Sequence, residues 1–79
     1  MPHILIVDDE ASVRDMVSDA LRFAGFDVTV AANAVDALNV VLKAQPDLLV
    51  VDINMPGMNG HELLQHSRKQ GNATPVILL

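Results

Sequence analysis

Seventy-nine residues with 51% hydrophobic and 19% charged side chains make one globular domain, and they exclude a disordered chain. A chain of this size buries only somewhat more than ~60% of its extended surface, so its stability margin is thin. The net charge is −5, and the five basic residues, Arg14, Arg22, Lys43, Arg68 and Lys69, are scattered, which excludes a clustered phosphate grip on nucleic acid by this segment.

Along the chain, Ile4 to Val7 is an aliphatic run with the length of a buried strand, closed by Asp8, Asp9 and Glu10. No basic region precedes it, so MPHILIVDDE is not a signal peptide, and no apolar stretch reaches the ~20 residues of a membrane span. The absence of cysteine excludes a disulfide framework or thiolate metal site and fits a reducing compartment. The expected location is the cytoplasm.

Ser12 followed by Asp15 has the spacing of a capping box, and Val13, Met16, Val17, Ala20, Leu21 and Ala24 lie on one face of a helix. Gly25 stands where a left-handed cap ends such a helix. Phe26 to Ala31 alternates through Val28 and Val30, as expected of a half-buried edge strand. Asn33 is suited to cap a second helix with an apolar stripe of Ala34, Ala37, Leu38, Val41 and Leu42. Pro46 steers Gln45 out of the helix region and so ends it.

Leu48 to Val51 is a second buried run, ended by Asp52. Asn54, Pro56, Gly57, Asn59 and Gly60 then supply turn chemistry, and a helical pattern runs from about Gly60 to Lys69. Pro75 leads into a further buried strand, Val76 to Leu79. His3, His61 and His66 lack zinc-site spacing and are expected to be solvated at the surface.

The order βαβαβαβ, with connections too long for hairpins, implies a parallel sheet. Parallel strands put their carboxyl ends on one side, where ligands bind in open α/β sheets. A lone strand-end Asp commonly does no more than cap a turn. Here Asp8 and Asp9 meet Asp52 if the first and third strands are neighbours.

The Asp8-Asp9 pair, Asp52, and the loop D-I-N-M-P-G-M-N-G from Asp52 to Gly60 resemble the receiver domain of a two-component response regulator, in register over the whole chain. Asn59 departs from the family, which often has Asp there. The resemblance implies a flavodoxin-like sheet in the order 2-1-3-4 and a truncated receiver over residues 1–79. The last helix, strand and helix, with the family's Ser or Thr after the fourth strand and Lys after the fifth, would fall beyond Leu79.

It also implies that Asp52 is the phosphoacceptor nucleophile. The donor would be a phosphohistidine on a sensor histidine kinase or phosphotransfer protein. Two carboxylates about 5 Å apart repel by roughly 3 kcal/mol at an effective dielectric near 20, and a divalent cation relieves the crowding. By resemblance the cation is Mg²⁺, held directly by Asp9 and Asp52 and by the backbone carbonyl of Asn54, with Asp8 acting through a bound water. Such a domain promotes its own phosphorylation and is not a turnover enzyme.

The alternative expectation is a receiver-like fragment that self-associates without catalysis, pairing its exposed fourth strand with another chain. An aspartate-nucleophile phosphatase or a flavin-binding domain shares the fold but not the residues. Asp8-Asp9 lacks the phosphatase spacing of two acids one residue apart, and the loops lack a hydroxyl-rich phosphate cradle.

Overall fold

The computed structural model describes residues 1–52, 65, 68–69 and 74–78. In chain order these form β1 (His3–Val7), α1 (Ala11–Phe23), β2 (Asp27–Ala31), α2 (Ala34–Ala44), β3 (Leu48–Val51) and β4 (Val76–Leu78). Residues 65, 68 and 69 are helical, within the helix expected from Gly60 to Lys69; the rest of that expected helix, the loop after Asp52, His61, His66 and Leu79 lie outside the described residues.

The strands form one parallel sheet in the order β2-β1-β3-β4, as expected. Because side chains alternate across a strand, the two central runs supply both faces. Leu5, Val7, Leu49 and Val51 point to the α2 side and pack with Ala31, Ala34, Ala37 and Val41. Ile4, Ile6 and Val50 point to the α1 side, where Val17, Leu21, Phe26 and Val28 cover them. No described helix is long and apolar enough to cross a membrane.

The helix stripes are narrower than the sequence pattern suggests. On α1, Met16 is 66% exposed and Ala20 and Ala24 are also exposed, while Val13, Val17 and Leu21 turn inward and Ser18 is buried. Among the described residues, the α1 side of the sheet presents three buried strand residues, Ile4, Ile6 and Val50, and of the α1 stripe Val17 and Leu21 pack against them. Ser18 remains satisfied because its hydroxyl donates to the Asp15 carbonyl at 3.0 Å. On α2, Leu42 is likewise exposed, one residue round the helix from the buried Val41.

The ends of the helices follow local chemistry, with one correction. Ser12 and Asp15 do not form a capping box. The helix begins at Ala11 with Glu10 as its cap residue, and the Ser12 hydroxyl donates to the Glu10 carboxylate at 3.3 Å. The turn is made earlier, where the Glu10 N–H donates to Asp8 Oδ1 at 2.9 Å and brings the chain round two residues sooner. At α2, Asn33 caps as expected, its side chain accepting from the Asp36 N–H at 2.9 Å. Gly25 takes φ +99°, open to glycine and strained for other residues.

Gln45 leaves the helix region as expected, taking a left-handed conformation at φ 46°. That region costs a non-glycine residue roughly 1 kcal/mol or more. Gln45→Gly is therefore expected to raise the melting temperature by about 4 °C, read by thermal circular dichroism. An unchanged or lower midpoint would mean that the left-handed turn carries no strain.

Two further expectations change. His3 is half-buried, not solvated: its Nε2 lies 2.7 Å from Thr29 Oγ1, and its backbone N–H donates to Asp47 Oδ2 at 2.7 Å. The Asp47 N–H in turn donates to the His3 carbonyl, tying the start of β1 to the start of β3. β4 is only partly buried, with Ile77 48% exposed.

Candidate functional site

The site follows from the register. β1 and β3 run parallel with Val7 opposite Val51, and each is followed at once by an acid. The ladder continues through both acids: the Asp8 N–H donates to the Ala31 carbonyl at 3.1 Å and the Asp52 N–H donates to the Val7 carbonyl at 2.9 Å. Asp8 and Asp52 are thus fixed side by side at the carboxyl edge of the sheet. Here the strand order reverses between β1 and β3, and helices α1 and α2 leave to opposite faces.

Asp9 joins them from the turn. One carboxylate oxygen from each of Asp8, Asp9 and Asp52 lies within 4.8 Å of the others, and no other such group of His, Cys, Asp or Glu occurs among the described residues. Asp8 is buried, Asp52 half-buried and Asp9 exposed, so the cluster has a floor, a wall and an open side. Three hard oxygen donors without nitrogen or sulfur suit Mg²⁺ or Ca²⁺ and do not suit Zn²⁺. Asn54, the fourth expected ligand, lies outside the described residues.

Two neighbours were not singled out from the sequence. The Glu10 N–H takes one oxygen of Asp8, and Arg14 Nη1 donates to the Asp8 backbone carbonyl at 2.9 Å. The available signal was position: Arg14 falls one turn into the helix that starts directly after the acids.

The response regulator receiver domain family matches residues 4–79 of the chain. The chain belongs to that family. Regulator of RpoS from Escherichia coli (strain K12) is 42% identical over 76 residues, which is 96% of this chain and 23% of that protein. The receiver chain thus spans about a quarter of the length of that curated relative.

Among solved structures, the chemotaxis protein CheY4 of Vibrio cholerae aligns with a TM-score of 0.94 at 40% identity, over 99% of this chain and 67% of that one. The response regulator TrrA of Thermotoga maritima aligns at 0.91 with 35% identity, over 99% of this chain and 68% of that one, in a structure with Mg²⁺-BeF. A second TrrA structure holds it in complex with the histidine kinase ThkA. The receiver fold and its place in two-component signalling are therefore properties of this chain's family.

Proposed function

We propose that this receiver chain accepts a phosphoryl group on Asp52 from the phosphohistidine of a sensor histidine kinase or phosphotransfer protein, with Mg²⁺ held by the acidic cluster. The observation that carries the reading is the convergence of the Asp8, Asp9 and Asp52 carboxylates within 4.8 Å at the switch between β1 and β3. The TrrA structures with Mg²⁺-BeF and with ThkA support the choice of cation and of partner.

Asp9 and Asp52 are the direct ligands in this reading, Asp8 acts through a bound water, and the Asn54 carbonyl supplies a further oxygen. When bound, Mg²⁺ supplies positive charge against the three carboxylates and the phosphoryl oxygens. Asp52 does the covalent chemistry. Its carboxylate oxygen forms the new P–O bond, the P–N bond to the donor imidazole breaks, and the electron pair leaves on that nitrogen, where a proton is taken up. The half-buried position of Asp52, with its N–H committed to Val7, holds the nucleophile still for an in-line approach. The chain is a phosphoacceptor in this scheme and not a turnover enzyme.

The cation reading has its own test. Raising Mg²⁺ to about ten times its dissociation constant should stabilise the folded chain by about 1.4 kcal/mol, since the unfolded chain has no assembled site. For a domain of this size that is a rise of roughly 6 to 11 °C in melting temperature. K⁺ at matched ionic strength should give much less, and equal shifts with the two salts would mean general screening in place of a site.

A further inference from the structure

We propose that Arg14 is a positioning residue that delivers Asp9 to the cation site by holding the peptide that joins Asp8 to Asp9. The inference rests on the reading of the three acids as a cation site.

Asp8 and Asp52 are pinned by the sheet ladder, through Ala31 and Val7 respectively. Among the described residues Asp9 has no such anchor: it is exposed and sits outside both strands, yet its carboxylate lies within 4.8 Å of the other two. What reaches it is the peptide bond before it. The carbonyl of that bond is the Asp8 carbonyl, which accepts from Arg14 Nη1 at 2.9 Å. A peptide unit is planar, so holding its oxygen sets the direction in which the next Cα, that of Asp9, projects.

Arg14 itself is well seated. It is half-buried on the first turns of α1, and its own N–H donates to the Glu10 carbonyl at 3.0 Å. The Glu10 N–H closes back on Asp8 Oδ1. Residues 8 to 10 are therefore held at each end by the start of one helix. The guanidinium takes a backbone oxygen and forms no ion pair with the three acids among the described residues, so the carboxylates are not spent on it.

The charge of Arg14 and its hydrogen bond predict opposite effects. If only charge mattered, removing a cation beside three carboxylates would tighten Mg²⁺ binding. If position matters, removing the donor weakens it, and loss of an outer partner of a metal ligand typically costs about tenfold or more.

The experiment measures Mg²⁺ affinity by calorimetry for wild type, Arg14→Met, Arg14→Lys and a surface control, Arg22→Met. Amide hydrogen exchange at Glu10, whose N–H is bonded to Asp8 Oδ1, is read without metal. The expected result is weaker Mg²⁺ binding in Arg14→Met by about tenfold, partial recovery in Arg14→Lys, no change in Arg22→Met, and faster exchange at Glu10 in Arg14→Met. Binding in Arg14→Met that equals or exceeds wild type overturns the proposal, even if its melting temperature falls, because a purely structural role lowers stability without moving the affinity. If Arg14→Met does not fold, Arg14→Gln, which is shorter and uncharged, decides: Mg²⁺ affinity equal to or above wild type overturns the proposal, and weaker binding supports it. Wild type that takes up no Mg²⁺ overturns the cation-site reading beneath it, a failure distinct from wild-type binding that Arg14→Met leaves intact.

Discussion

Leu5→Ala is expected to cost about 2 to 5 kcal/mol and to lower the urea midpoint in proportion. Leu5 has no exposed surface and sits at the middle of β1, flanked by β2 and β3. It is among the largest fully buried side chains and belongs to the cluster that seats Ala37 and Val41 of α2. Small neighbours such as Ala31, Ala34 and Ala37 have little side chain with which to fill the space it would leave. At about 0.05 to 0.15 kcal/mol per residue, a chain of this size has roughly 4 to 12 kcal/mol in total. One truncation therefore removes a substantial share. Leu42→Ala, at a 54% exposed position on the same helix layer, should stay within about 0.5 kcal/mol of wild type. Urea unfolding followed by circular dichroism compares the two; equal losses would mean that the core does not lie between α2 and the sheet.

Asp9→Asn is expected to do two opposite things. Without metal it should stabilise the chain, because it removes one of three like charges whose oxygens approach within 4.8 Å. At an effective dielectric of 20 a pair at that distance repels by roughly 3 kcal/mol, and because Asp9 is exposed, solvent screening reduces the recoverable part to about 1 kcal/mol. That corresponds to a rise of about 4 to 8 °C in the metal-free melting temperature. With Mg²⁺ the same variant should lose most of the wild-type shift, since a direct ligand is gone. The two curves should therefore cross, with the variant more stable without Mg²⁺ and less responsive with it. A variant destabilised without metal would contradict the crowding, and one with an undiminished Mg²⁺ shift would remove Asp9 from the ligand set.

What was legible in the sequence rested on local chemistry and on run length. Asn33 and Gly25 act where their side chains, or the lack of one, dictate. Ile4–Val7 and Leu48–Val51 are runs of equal length, each closed by an acid, and they pair residue for residue from Ile4 opposite Leu48 to Val7 opposite Val51. Once the two strands are neighbours, the acids must meet. That they are neighbours was implied by the family resemblance and could not be read from periodicity, which is blind to strand order.

The misreadings share a cause in tertiary context. Met16, Ala20 and Leu42 lie at helical spacing with residues that turn inward, but contact with the sheet, which spacing does not reveal, decides which of them are covered. His3 meets Thr29 across 26 positions of chain. Arg14 looked like one of several scattered cations because its partner is a backbone carbonyl, a group that leaves no mark in a sequence.

In the proposed reaction Asp52 accepts the phosphoryl group. The most direct test of this is intact mass after exposure to acetyl phosphate and Mg²⁺, for wild type and for Asp52→Asn. The expected result is a single phosphoryl adduct of about 80 Da on wild type, labile to hydroxylamine as an acyl phosphate must be, and none on Asp52→Asn. An adduct of equal yield on both proteins, or none on a wild type that binds Mg²⁺, would contradict it.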